Sequence, residues 1–228
     1  MSTTTTPAEV YYPDTDGEPM SDNTLQFRWI VTIQGNLDLL FRDRADVFVA
    51  GNNLIYPVQG DPTIRQAPDV YVAFGRPKGD RGSYKVWEEG GVFPQVVFEV
   101  WSPGNRAGEM TRKRAFYRTY GAEEYYVYDP EENVLEGWVR EGDRFEEVAS
   151  ANGHVSPRLG VRFDLSGSEL AIRDTNGRQF LTFVELGDIA ARERERARNE
   201  HERAEKEWER AEKLAAKLRE LGIDPDAV

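Results

Sequence analysis

The sequence predicts a mixed α/β domain followed by one long charged helix. Three observations carry this reading. Short runs rich in Val, Tyr and Phe, bounded by Gly, Pro, Asn and Asp, recur between residues 47 and 173 and have strand character. Two stretches, one ahead of this region and one within it, place apolar residues at helical spacing. From about Phe183 the composition changes to almost nothing but helix formers.

Residues 1–20 are polar, with four successive threonines, and read as a loosely held arm. Asp22 or Asn23 can cap a helix to about Phe41, in which Leu25, Trp29, Ile33, Leu37 and Leu40 share a face. The runs 47–51 and 53–58 read as short strands, followed by a turn at Gly60–Thr63. DVYVAFG (69–75) is a strand, and the glycine-rich segment 75–91 is a long loop. QVVFEVW (95–101) is apolar enough for a buried strand, and SPGN then leads into a helix over 108–121, with Ser102 at its entry. EYYVYDP (124–130) is a further strand, 135–149 a hairpin with a Gly-Asp turn, and 159–165 and 169–173 two shorter strands. We therefore expect an arm (1–20), a folded domain (21–182) and a charged C-terminal helix (183–228). That helix repeats alanine at 190, 197, 204 and 211 and leucine at 218, with Arg194, His201, Trp208 and Ala215 as companion positions. The seam is apolar only in its second half, so a coiled coil and a homodimer through this helix are expectations, alongside a simply solvated helix.

Composition removes several classes of chemistry. The chain has no cysteine and two histidines, which excludes disulfide frameworks, thiolate nucleophiles and histidine-rich metal sites. Any metal would be held by carboxylates and carbonyls and would be a hard cation. No apolar run approaches a membrane span, and the N-terminus has neither the basic start nor the apolar core of a secretory signal. The net charge of −12 argues against a general nucleic-acid coater. Yet two stretches are basic: Arg76, Lys78, Arg81 and Lys85 against Asp80, and Arg106, Arg112, Lys113, Arg114 and Arg118 against Glu109. In sequence they bracket the strand that carries Glu99, so a polyanion can still be taken there.

Lys113 is the residue out of place. On the helix over 108–121, Met110, Phe116, Tyr117 and Tyr120 form one arc and Lys113 lies in its middle. An ammonium on an apolar arc loses hydration and needs an anion. Glu99, at the centre of a buried strand just upstream, has the opposite problem. Asp69 follows Pro68 at the mouth of another strand. Two acids and a lysine in this order suit phosphodiester hydrolysis by a bound divalent metal: carboxylates hold the cation, and the lysine orients water or steadies developing charge. Each residue taken alone has a plainer reading: Asp69 as a turn cap, Glu99 on a solvent-facing edge, Lys113 snorkelling along Tyr117 to water. The loop 75–91 lacks the Gly-Lys-Ser/Thr ending of a phosphate-binding loop, and no histidine is placed to activate Ser102.

The strings QAPDVYVAFG, GDRGSYKVWEEGG and VVFEVWSPGNRAGEMTRKRAFYRTYGAEEYYVYDP resemble the Uma-type (Uma-two) restriction endonuclease family of the PD-(D/E)xK nuclease superfamily. The resemblance covers roughly residues 10–170. It implies a restriction-endonuclease-like core of mixed sheet flanked by helices, a magnesium- or manganese-dependent nuclease acting on DNA, and a bacterial cytoplasm. It makes Asp69, Glu99 and the carbonyl of Val100 metal ligands. The lysine usual two residues after the glutamate is here Trp101, and the family reading moves it to Lys113. Arg76, Lys78, Arg81 and Lys85 are expected to contact phosphates. A catalytically inactive binding or scaffold module on the same fold, and a nuclease of RNA, are the rival expectations.

Overall fold

A computed structural model of the chain describes residues 10–15, 23–104 and 108–221. Two compact units emerge, Met1–Phe180 and Leu181–Val228.

The first unit is built on a six-stranded mixed sheet. In chain order it contains helix α1 (Thr24–Leu40), β1 (Val47–Ala50), β2 (Ile55–Tyr56), β3 (Val70–Phe74), β4 (Tyr84–Lys85), β5 (Val96–Val100), helix α2 (Glu109–Tyr120), β6 (Glu124–Asp129), β7 (Val134–Glu141), β8 (Arg144–Glu147), β9 (Arg162–Asp164) and β10 (Ala171–Arg173). The main sheet runs β1-β3-β5-β6-β7-β8, with β9 and β10 forming one small ladder and β2 and β4 another. Only β5 and β6 pair in parallel within the main sheet, because α2 carries the chain back between them.

Asn23 caps α1, its side chain accepting from the Gln26 N–H. Trp29, Ile30, Ile33 and Leu37 of α1 pack with Val70, Val72, Val96, Phe98 and Val100 into an apolar core on one face of the sheet. Ile33 and Leu37 are fully buried, and each contributes about 1.5–3 kcal/mol by leaving water. The opposite face holds Tyr71, Val97, Tyr125 and Trp138, covered by Tyr117 and flanking residues of α2. Glycines in the left-handed region, Gly108 (φ 82°) and Gly121 (φ 115°), bound α2 at both ends. The cap is therefore Gly108 and not Ser102, which lies well upstream of the first helical turn.

Residues 1–9 and 16–20 of the expected arm lie outside the described residues. The stretch 10–15 is docked: Tyr12 packs against Tyr56 and Trp87 at ring distances of 5.2 and 4.9 Å, and the Tyr56 hydroxyl donates to the Pro13 carbonyl at 2.6 Å.

The second unit is helix α3 (Phe183–Glu220), opened by a capping box between Thr182 and Glu185. None of its residues is buried, and Trp208 and Leu214 are exposed. Its charges pair along its own surface, as in Arg196–Glu193 and Lys213–Glu209.

Candidate active site

Strand register places the two acids side by side. Val70 pairs with Phe98 in the antiparallel β3–β5 ladder, so the next pair outward is Asp69 with Glu99. Opposite residues share a face, and here it is the α2 face, since their neighbours Tyr71 and Val97 lie in that core. Glu99 is fully buried and Asp69 nearly so. Gly51 secures the approach: a Cβ there would sit 2.0 Å from the Asp69 carbonyl oxygen, so only glycine lets the end of β1 run against that peptide.

Helix α2 supplies the rest. Glu109, Lys113 and Tyr117 are spaced four apart and therefore form one stripe. The Lys113 Nζ donates to Glu99 Oε2 at 2.7 Å, and the Tyr117 hydroxyl donates to Glu99 Oε1 at 2.7 Å. Glu109 lies 4.0 Å from the same ammonium. The Lys113 side chain is 11% exposed. Burial disfavours its charge, but the carboxylates of Glu99, Asp69 and Glu109 outweigh that, and its pKa is raised. Burial, reinforced by the negative Glu99, holds the Tyr117 phenol well above its usual pKa, so it remains a donor.

The peptide at Val100 is gripped from both sides. Its N–H donates to Asp69 Oδ2 at 2.6 Å, and its carbonyl accepts from Gln26 Nε2 at 3.1 Å. Gln26 was not singled out in the sequence, although a signal existed: it lies one turn before Trp29 on the buried face of α1, as misplaced as Lys113. Thus the structure brings Asp69, Glu99, Val100 and Lys113 together and adds Tyr117, Glu109 and Gln26.

The basic loop behaves otherwise. It leaves β3 after Phe74 and re-enters β5 at Val96, and Gln95 there bonds Val72 and Phe74. Those strand ends are opposite to the Asp69–Glu99 end, so Arg76 begins roughly 20 Å along the strand from Asp69. Lys78 is paired with Asp38 at 2.9 Å. Arg81, expected to face phosphate, turns inward: it makes a two-pronged bond to Glu89 (2.5 and 3.2 Å), donates to the Gly79 and Pro77 carbonyls, and lies 3.9 Å from the Phe48 ring centroid. Its donors clamp the loop from within. Lys85 is half-buried beside Glu88 and the Tyr12 ring. Arg106 lies outside the described residues. Arg112 is exposed on the first half of α2, beside Lys113.

The donor set suits a hard divalent cation. All its groups are oxygen: two carboxylates and a peptide carbonyl. The carboxylates of Asp69 and Glu99 face one another across the β3–β5 ladder with the Lys113 ammonium bonded to Glu99. The oxygens already accept hydrogen bonds, but each keeps a second lone pair. Among the described residues no group of three or more His, Asp or Glu side chains is arranged to cage a metal, so the carbonyl, water and substrate oxygens would complete the shell.

Fold and site define a mixed-sheet α/β protein with a buried carboxylate–lysine centre at the open end of two adjacent strands. A family model described as "Uma2: Putative restriction endonuclease" matches residues 12–172, well over half the chain, and the chain belongs to that family. A similar solved structure is described as a "putative nuclease belonging to DUF820 from Anabaena variabilis". It is 14% identical with a TM-score of 0.44, and the match covers 61% of this chain and 74% of that one. A comparison with curated proteins returns no match. No helix among the described residues is long and apolar enough to cross a membrane.

Proposed function

We propose that this chain hydrolyses DNA phosphodiester bonds with Mg2+ or Mn2+ bound by Asp69, Glu99 and the Val100 carbonyl. The carrying observation is the Lys113–Glu99 bond at 2.7 Å, formed where strand register sets Asp69 opposite Glu99. When bound, the cation would lower the pKa of a coordinated water and neutralise charge on the phosphate. Lys113 holds a fixed positive charge at the rim of that centre, where it orients water and steadies an anionic oxygen. Tyr117 keeps Glu99 in one rotamer, and Gln26 and Asp69 fix the peptide whose carbonyl completes the set. Arg112 is placed to meet backbone phosphate. Exposed Trp208 and Leu214 on α3, with Leu221 at its C-cap, are the surface through which two copies would join.

One observation favours a second reading, a silent module on the nuclease fold. Both Glu99 oxygens are already engaged, as in a purely structural ion pair. Plasmid cleavage in Mn2+ by the purified chain and by Glu99→Gln decides between them. Cleavage by the wild type alone supports the nuclease; equal absence or equal presence in both removes this site from the chemistry.

A further inference from the structure

Beside the centre lies a pocket of about 220 Å³ that the proposed reaction does not use, lined by Trp101, Val127, Asp129, Glu132, Val134 and Glu136. Its position follows from register. Glu99 pairs with Val127, and Val127 with Glu136, so these three form one row across β5, β6 and β7 on the α2 face. Trp101 and Asp129 stand two residues further along their strands, and Asp129 pairs with Val134, which makes the next row outward. Neighbouring strands are about 5 Å apart, so the pocket opens one strand away from Glu99.

Its chemistry is particular. Trp101 and two valines give it a flat apolar wall, and all its charged groups are carboxylates, which only accept hydrogen bonds at neutral pH. Phosphate is repelled there. A group that stacks on indole and offers donors is welcome, and a nucleobase with an exocyclic amine has both properties. Asp129 Oδ1 is committed to the Glu131 and Glu132 N–H groups of the turn, whereas Glu136 is an exposed acceptor within the Glu99 row itself. Trp101 also stands where the motif expects lysine. The charge has moved to α2, and the strand position offers a ring.

We propose that this pocket receives one unstacked base next to the scissile phosphate and favours cytosine or adenine over thymine. This rests on the nucleic-acid reading of the adjacent centre. The experiment measures equilibrium binding of fluorescein-labelled dC, dA and dT hexamers to the full chain by anisotropy, without divalent metal, for the wild type, Trp101→Ala and Glu136→Gln. The expected result is dC or dA bound about tenfold more tightly than dT, with the difference collapsing in Glu136→Gln and all hexamers weakened in Trp101→Ala. Equal affinity for the three hexamers, or a preference that both variants retain, overturns the pocket. So does a Mn2+ site lost in Glu136→Gln without any base effect, since the occupant is then a cation. Cleavage of the same hexamers in Mn2+ is scored separately: base discrimination without cleavage keeps the pocket and defeats the nuclease, and cleavage without discrimination does the reverse.

Discussion

Two buried carboxylates, Glu99 and Glu124, belong to neighbouring strands, and they are stabilised in opposite ways. Glu124, at the start of β6, accepts from the Tyr126 hydroxyl, the Ser156 hydroxyl and the Arg158 N–H, all uncharged donors. It ties the loop at 156–158 to the sheet. Burial raises its pKa despite those donors. Glu99 accepts from one cation and one phenol, beside a second carboxylate and an exposed run of α2. The first carboxylate is used up by the fold. The second shares its end of the sheet with Asp69 and Lys113, one strand away from the pocket at Val127 and Glu136. Burial alone does not distinguish the two acids; the charge of their partners does.

Asp69→Asn or Glu99→Gln, which keep side-chain volume and an acceptor oxygen, should reduce Mn2+-dependent plasmid cleavage per folded molecule to background, while Lys113→Met should cost on the order of 10²–10³-fold in rate. If all three variants cut as the wild type does, the centre is structural. Glu124→Ala should behave in reverse. It strands three donors and should cost about 3 kcal/mol in urea unfolding, with cleavage per folded molecule unchanged.

The pH dependence separates the two acids further. The folded pKa of Glu124 lies above its unfolded value, so its contribution is fully present below about pH 4.3 and is lost as pH rises through the folded pKa. Glu124→Gln removes that slope. Between pH 8 and pH 5 the wild type should therefore gain melting temperature relative to Glu124→Gln; a constant difference would show that Glu124 does not titrate in that window. Removing residues 184–228 should have the smallest effect. The melting temperature of the first unit should stay within a degree or two, while light scattering should show a dimer becoming a monomer. A full-length chain that is already monomeric at high concentration ends the dimer proposal.

Much of this was legible because charge on an apolar pattern is conspicuous. Lys113 on the arc of Met110, Phe116 and Tyr117, and Glu99 within VVFEV, announce themselves by what surrounds them. The helix and strand runs were legible for the same reason, since periodicity survives without tertiary knowledge. The loop was not. Arg76, Lys78, Arg81 and Lys85 read as one basic patch because they are close in sequence. The antiparallel pairing of β3 with β5 sends the loop to the far strand ends, and Glu89, eight residues beyond Arg81, neutralises it. Gly51 was equally silent, because its demand comes from the Asp69 backbone and leaves no local pattern. The pocket beside Glu99 depends on register across three strands, which a sequence does not display.

If Asp69 and Glu99 are held together for a cation, removing their charge removes the cation site. Calorimetric titration of Mn2+ into the full chain and into the Asp69→Asn/Glu99→Gln double variant tests it directly. One saturable site per chain is expected in the wild type and none in the variant, with both equally folded by circular dichroism. An identical titration of the two proteins would contradict it.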